Sequence, residues 1–173
     1  MFEIIEYYGS KLIKACSMNR RDYNAYRGWE LPADENGDDE GYLVEYVDSP
    51  NSNHEAHEGY ISWSPKDVFE RAYRDNGSLT FGDAIIALKQ GKRVSRYGWN
   101  GKGMFLFLLP ASDGIPTTAI HDPALREVIE SQTGGDTFDA LGSIRMFTAD
   151  KKVLTGWLAS QTDILAEDWQ VIN

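Results

Sequence analysis

Two tryptophans that each follow a glycine carry the clearest chemical signal in this chain. Trp99 follows Gly98 and Trp157 follows Gly156, with polar side chains within a few positions of each. An indole ring edged with hydrogen-bonding groups suits a planar ligand such as a nucleobase. Gly98 and Gly101 would let such a ligand approach the backbone closely. The alternative that stays open is that both tryptophans are ordinary core residues between a helix and a sheet.

A local basic patch surrounds the first of these tryptophans. Five cations and no acid fall within fourteen positions: Lys89, Lys92, Arg93, Arg96 and Lys102. The whole chain carries a net charge of −10, with −8 in residues 1–77 and −2 in residues 78–173. Because the overall field repels long polyanions, binding of bulk nucleic acid is disfavoured, whereas binding of a small phosphorylated ligand is not. Arg96 and Lys102 are the predicted phosphate contacts.

The sequence gives only weak indications of a catalytic or metal-binding site. The histidines in residues 54–58 lack the HExxH spacing, which favours an exposed loop, with adventitious metal binding as the alternative. The glycines near Trp99 precede a strand, so they do not cradle a phosphate at a helix N-terminus. Asp163, Glu167 and Asp168 leave carboxylate chemistry conceivable, although Glu167 and Asp168 also fit the solvated end of a helix. We expect no enzyme activity, no cofactor and no metal.

The chain is predicted to be an α+β protein of two small domains. Its 173 residues are 42% hydrophobic and 25% charged, which is typical of a globular protein. The polar stretch 74–78 is the predicted boundary between an acidic domain, residues 1–77, and a second domain, residues 78–173. In the second domain we expect an antiparallel sheet with an N-terminal helix packed on it. A long insertion, residues 111–142, interrupts it.

Local patterns place the individual elements. In the first domain they predict strands at 11–18, 42–47 and 60–63, a helix at 20–27 capped by Asn19, and a helix at 65–73 capped by Ser64 with Asp67 completing a capping box. In the second they predict a helix capped by Thr80, strands at 93–96, 104–109 and 169–172, a hairpin over 144–157, and a helical turn at 160–167. The insertion should contain a helix at 123–130 between two loops.

Composition also bears on the cellular location. The longest apolar run, residues 104–110, is too short to span a bilayer, and residues 1–6 lack the basic start and apolar stretch of a signal peptide. Cys16 is the only cysteine, so an intrachain disulfide is impossible. We therefore expect a cytoplasmic protein without membrane contact.

Three segments of the second domain resemble a known family. They are Leu79–Ala84, Gly91–Met104 and Trp157–Trp169, in the order in which that family has them. On the basis of these segments, roughly residues 78–173 of the chain resemble the phage Thoeris anti-defence protein 2 family.

The resemblance implies a molecular sponge. Such proteins bind, without cleaving, cyclic ADP-ribose-type signals that bacterial TIR-domain enzymes make from NAD, and some relatives also sequester cyclic oligonucleotides of the CBASS defence system. Family members resemble small α/β proteins assembled as homotetramers, with ligand pockets between neighbouring subunits. The implied partners are thus a small cyclic nucleotide signal and further copies of this chain.

The resemblance also implies a set of ligand-binding residues. Trp99 and Trp157 would stack on the base, with Phe81 as a third wall of the site. The remaining residues would line the pocket or bind ribose and base edges: Asn100, Gly101, Met104, Ser160, Gln161 and Asp163. Arg96 and Lys102 stay the phosphate candidates on charge and position alone.

Two departures from the smallest members keep other functions open. The insertion at 111–142 is longer than theirs, and residues 1–77 are an additional unit, in which segments 19–29 and 59–65 resemble an uncharacterised domain of enteric phage proteins. One rival function is a nucleotide-metabolising enzyme that uses Asp163. The other is an adaptor that docks its acidic N-terminal unit onto a host protein.

Overall fold

The computed structural model describes residues 9–172. This part of the chain is mixed α and β, with five α-helices and three antiparallel sheets, as the α+β prediction requires. It divides into two compact units, one ending at Arg74 and the other beginning at Asp75. The prediction about a leader in residues 1–6 lies outside the described residues. Among residues 9–172, none of the helices is long and apolar enough to cross a membrane.

The first unit is a three-stranded antiparallel sheet with two helices. Its strands are β1 (Ile13–Ser17), β2 (Gly41–Tyr46) and β3 (Tyr60–Pro65), in the order β1-β2-β3, and its helices are α1 (Arg20–Tyr26) and α2 (Lys66–Ala72). Tyr23, Leu43 and Ile61 form its core. The predicted cap of α1 is confirmed, since the Asn19 side chain accepts a hydrogen bond from the Asp22 amide at 2.7 Å.

The predicted start of α2 was wrong. Ser64 is part of β3, where it pairs with Tyr42, so its backbone stays extended instead of capping a helix. Pro65, which has no hydroxyl, takes the cap position, and the helix begins one residue later than expected. Pairing along the full length of β2 outweighed the local capping signal.

The main part of the second unit is a five-stranded antiparallel sheet with one helix packed on one of its faces. The helix is α3 (Phe81–Lys89), and the order of strands is β10-β4-β5-β8-β9, comprising β4 (Arg93–Arg96), β5 (Phe105–Leu109), β8 (Ser143–Phe147), β9 (Val153–Thr155) and β10 (Trp169–Ile172). Thr80 and Asp83 form the predicted capping box at the start of α3. Gly91, with φ +78°, follows its C-terminal end, as the glycine stop predicts.

The core of this unit lies between α3 and the sheet. Alternate strand residues point toward the helix, so Val94, Leu106, Met146 and Trp169 meet the apolar face of α3. That helix face consists of Ala84, Ala87 and Leu88, spaced three and four residues apart. The core therefore fixes the ends of β4 and β5, between which the predicted site residues from Arg96 to Met104 lie.

The insertion has more regular structure than the sequence indicated. Its two expected loops contain strands, β6 (Ser112–Pro116) and β7 (Thr137–Ala140), which pair as a separate two-stranded sheet. The predicted helix is present and longer, α4 (Pro123–Thr133), and Gly134 in the left-handed region ends it. Glycine and proline within β6 hid its strand character. The last helix, α5 (Gln161–Ile164), is shorter than predicted.

Candidate functional site

Three aromatic rings of the second unit cluster around a fourth, that of Trp169. This residue is fully buried and packs between α3 and the sheet. Its ring centroid lies 5.5 Å from those of Trp99 and Phe81, and 6.4 Å from that of Trp157. The three aromatics expected at the site are thus brought together, and the residue that gathers them was not among the predicted ones.

Backbone geometry explains why these rings meet. Trp99 lies in the turn between β4 and β5, and Trp157 follows β9, where its amide donates to the Ile144 carbonyl at 2.9 Å. Phe81 is the first residue of α3. Trp169 opens β10, which pairs with β4 so that Trp169 lies opposite Arg96. The cluster therefore depends on contacts between segments up to about 90 residues apart in sequence.

The two candidate stacking tryptophans contact each other directly. Their centroids are 6.3 Å apart with 65° between the ring planes, an edge-to-face arrangement. Sandwiching a base between two rings needs parallel planes separated by the thickness of the base, so this pair does not form a clamp within one chain. Trp99 and Trp157 are half-buried, packing against the core on one side and reaching solvent on the other. Each of the two tryptophans is thus partly a core residue and partly an exposed shelf.

Arg96 is the centre of an ionic network beside the cluster. Its Nε donates to Asp168 Oδ1 at 2.8 Å, and its Nη1 donates to Asp163 Oδ1 at 2.9 Å and to the Thr162 carbonyl at 3.2 Å. The Arg96 side chain is only 18% exposed. The charges of Asp163, Asp168 and Arg96 add up to −1. The positive charge of Arg96 is therefore already balanced within the chain, which makes Arg96 a poor phosphate contact.

Asp163 ties α5 to the aromatic cluster. Its Oδ1 accepts from the Trp99 indole Nε1 at 3.2 Å, and its Oδ2 accepts from the Ser160 hydroxyl at 2.6 Å in a capping box. Burial by itself raises the pKa of Asp163, but the hydrogen bonds from Ser160, Arg96 and Trp99 outweigh it and lower the pKa from 3.8 to about 2. Asp163 is therefore ionised at neutral pH, and it fixes the orientation of the Trp99 ring.

Asp168 and Gly98 form a second link to the same arginine. Asp168 Oδ2 accepts from the Gly98 amide at 2.7 Å. The Arg96 hydrogen bond is the main cause that lowers the pKa of Asp168. A Cβ on Gly98 would lie 2.8 Å from that carboxylate oxygen, so the glycine accommodates the protein's own side chain. Asp168 was expected as the solvated end of a helix or as part of a carboxylate set, and its separation of 70 residues from Gly98 hid this role.

The other predicted residues divide into packed and exposed ones. A Cβ on Gly101 would come within 2.1 Å of Met104 Sδ, so these two residues fit closely against each other. The exposed ones are Asn100, Lys102, Ser160 and Gln161. Ser160 and Gln161 begin α5, and Asn100 and Lys102 lie in the turn that carries Trp99. The side chains of Asn100, Lys102 and Gln161 are thus exposed on the two segments that adjoin the tryptophans, whereas the Ser160 hydroxyl is used by Asp163.

Three strongly exposed apolar residues adjoin the site and were missed. Tyr97 is 81% exposed, Leu158 88% and Leu165 76%. Each lies within two residues of Trp99, Trp157 or Asp163 in sequence. Single exposed apolar residues are common on protein surfaces, so what distinguishes these three is their position in the chain beside the tryptophans and Asp163. Sequence reasoning could not find them, because hydrophobicity alone does not distinguish an exposed leucine from a buried one.

The histidine segment at 54–58 lies in the first unit. It is a loop, as predicted, but the His57 side chain is only 16% exposed because it pairs with Glu45. Within residues 9–172, no three His, Cys, Asp or Glu side chains are placed to share a metal ion.

Comparison with known proteins bears on the second unit alone. The family model described as the Thoeris anti-defense 2-like domain matches residues 79–172. The chain belongs to the Thoeris anti-defence 2-like family. A curated relative, "Thoeris anti-defense 2" of Bacillus phage SP01, is 41% identical over 95 residues, which cover 55% of this chain and 96% of the relative. Membership gives the chain a phage anti-defence role. The matched segment contains the aromatic cluster and the Arg96 network.

Proposed function

We propose that this anti-defence protein is a sponge that binds a cyclic nucleotide immune signal and does not cleave it. The ligand class is the cyclic ADP-ribose-type signal made by TIR-domain enzymes, captured in the cytoplasm of the infected host. The observation that carries the proposal is the pair of half-exposed tryptophans, Trp99 and Trp157, anchored on the buried Trp169. Such rings offer pre-positioned stacking surfaces, each contributing about 1–3 kcal/mol per base.

Polar groups around the rings supply the remaining contacts. Asn100 and Gln161 are exposed beside Trp99 and on α5, where their amides can bind base or ribose edges. Lys102 is the exposed cation of the Trp99 turn and the better candidate for a phosphate. Arg96 and Asp163 act instead by holding Trp99 and α5 in place, because their strongest partners are each other, Asp168 and Ser160.

The site is completed by a second copy of the chain. Within one chain a base can stack on only one face of one ring, since Trp99 and Trp157 meet edge to face. The exposed Tyr97, Leu158 and Leu165 are suited to contact a neighbouring subunit at the same place. Phe105 and Phe147, stacked at 5.0 Å on the sheet face away from α3, offer a second apolar surface for assembly. A homotetramer with pockets between subunits follows from this proposal, and native mass spectrometry of the purified protein tests it.

Binding without cleavage agrees with the electrostatics. A general base works best with a pKa near the operating pH, whereas the pKa of Asp163 is about 2. Its oxygens also accept hydrogen bonds from Arg96, Trp99 and Ser160, which compete with any proton transfer from a substrate. These groups favour a binding site over the rival enzyme that would use Asp163.

The decisive experiment is capture and release. The protein is incubated with the products of a TIR-domain enzyme and with cyclic oligonucleotides, washed, heated, and the released molecule is identified by mass spectrometry. We expect one cyclic signal to be retained and released unaltered. Trp99→Ala and Trp157→Ala should each weaken binding about 5- to 150-fold with the fold intact by circular dichroism, whereas Trp29→Ala, at a 53% exposed tryptophan of the first unit, should not.

Other outcomes select the rival functions. A linearised or hydrolysed product would support the nucleotide-metabolising enzyme. Anti-defence activity in cells that survives both tryptophan substitutions would support the adaptor, in which the acidic first unit contacts a host protein.

A further inference from the structure

A carboxylate, an imidazole and a phenol form a hydrogen-bonded line in the first unit. His57 Nδ1 lies 3.2 Å from Glu45 Oε2, and His57 Nε2 lies 2.9 Å from the Tyr26 hydroxyl. Glu45 belongs to β2, Tyr26 to the end of α1, and His57 to the loop before β3. Three separate segments thus converge on one imidazole, outside the segment that matches the family.

The buried carboxylate fixes the tautomer of the histidine. Glu45 is 7% exposed, and its Oε1 accepts from the amides of Gly59 at 2.9 Å and Glu58 at 3.1 Å. The Gly59 amide, followed by His57, lowers the pKa of Glu45, so it is ionised at neutral pH. An ionised carboxylate only accepts hydrogen bonds, so His57 Nδ1 carries the proton. In the neutral form of His57, Nε2 then presents its lone pair and the Tyr26 phenol is placed to donate to it.

Packing around Glu45, His57 and Tyr26 holds these three side chains in place. A Cβ on Gly59 would lie 2.2 Å from the Tyr46 carbonyl, so only glycine lets the loop amides reach Glu45. The Tyr26 ring stacks on that of His54 at 4.5 Å with 20° between the planes. Tyr26 is nevertheless 39% exposed, so a reactant can reach it.

We propose that Tyr26 is a nucleophile that His57 activates and that Glu45 positions His57. In this proposal Tyr26 accepts an acyl group from an uncharged activated ester. A hydroxyl hydrogen-bonded to a base that a third group orients is the arrangement of nucleophilic catalysis. Tyr26 Oη forms a bond to the ester carbonyl carbon, and the bond from that carbon to the alkoxide or phenoxide leaving group breaks. The phenol proton moves to His57 Nε2, and Glu45 stabilises the imidazolium. The leaving group departs with the bonding electron pair.

Charge selects an uncharged donor. Residues 1–77 carry a net charge of −8, and Glu55 and Glu58 flank the His57 loop. This field repels phosphoryl and nucleotidyl donors, which are anionic, more than it repels an ester. The inference is independent of the proposed sponge, because it concerns residues outside 79–172.

An internal competition tests the proposal in the full-length protein. The protein is treated with a low concentration of p-nitrophenyl acetate at pH 7.5, and acetylated tyrosines are quantified by peptide mass spectrometry over time. We expect Tyr26 to be acetylated at least about tenfold faster than Tyr60, which is 47% exposed in the same unit and outside this network. His57→Gln should reduce the rate at Tyr26 to that at Tyr60, whereas His121→Gln, in the second unit, should leave it unchanged.

Two further readouts separate activation from simple support of the loop. Nitrogen-15 NMR of the imidazole should show the Nδ1-protonated form of His57 in the native protein and its loss in Glu45→Gln. Equal acetylation rates of Tyr26 and Tyr60 in the native protein would overturn the proposal, irrespective of whether any variant folds. An Nε2-protonated His57 would overturn it as well.

Discussion

Replacing Asp163 with asparagine should destabilise the second unit by an amount that the network predicts. The side chain is 13% exposed, and its pKa is lowered from 3.8 to about 2 by Ser160, Arg96 and Trp99 in spite of burial. The difference corresponds to about 2 kcal/mol of stability at neutral pH. Asparagine keeps the shape of the side chain but loses this charge-dependent part. For a unit of this size the loss lowers the melting temperature by about 8–16 °C.

The same interaction gives a defined pH dependence. Because the folded-state pKa lies below the unfolded one, the contribution of Asp163 is fully present above about pH 4 and is lost as the pH falls toward 2. About half should remain at pH 3. The difference in unfolding free energy between native protein and Asp163→Asn should therefore shrink over this range.

Hydrogen exchange measured by mass spectrometry is the suitable assay, since peptides from β4 and β10 report on the second unit separately. Asp150→Asn is a matched control. Asp150 also accepts from a hydroxyl, Thr148 Oγ1 at 2.5 Å, and pairs with Lys152, but its side chain is 60% exposed. We expect no measurable change for Asp150→Asn. Equal effects of the two substitutions, or a difference that does not depend on pH between 7 and 3, would refute the reasoning.

Three other substitutions probe the cap, the close approach and the ligand contact. Thr80→Ala removes half of the capping box of α3 and should cost about 1 kcal/mol, seen as a melting temperature about 4–8 °C lower; no change would contradict the cap assignment. Gly98→Ala should displace the Asp168 carboxylate and cost about 1–3 kcal/mol in urea unfolding, whereas Gly135→Ala, where a Cβ meets open space, should cost little. Lys102→Gln should weaken binding of the cyclic signal about tenfold by calorimetry and reduce its salt dependence, and Lys89→Gln should not; equal effects would mean that the phosphate contact lies elsewhere.

The sequence predicted those features that depend on neighbouring residues. The cap of Asn19, the capping box of Thr80 and the helix at 123–130 are local patterns, and each is present. Ser64 shows the limit of such patterns, because pairing of β3 with β2 determined its conformation.

Contacts between distant segments were not predictable from local patterns. Trp169 gathers the aromatic cluster, and Asp168 joins Arg96 to Gly98, although these partners are about 70 residues apart. The grouping of Phe81, Trp99 and Trp157 followed from the family resemblance rather than from their spacing. Neither the local patterns nor the family resemblance indicated that Trp99 and Trp157 meet edge to face. Because of this arrangement, one chain cannot place a base between the two rings.

Retention and release of an unaltered signal tests the central claim most directly. The purified protein is mixed with the cyclic ADP-ribose-type product of a TIR-domain enzyme, freed of unbound ligand, heated to denaturation and analysed by mass spectrometry. The sponge proposal predicts that the released molecule has the mass and chromatographic position of the input, and that Trp99→Ala and Trp157→Ala retain far less of it than the native protein. Failure of the native protein to retain any cyclic signal, or recovery of a cleaved product, would contradict it.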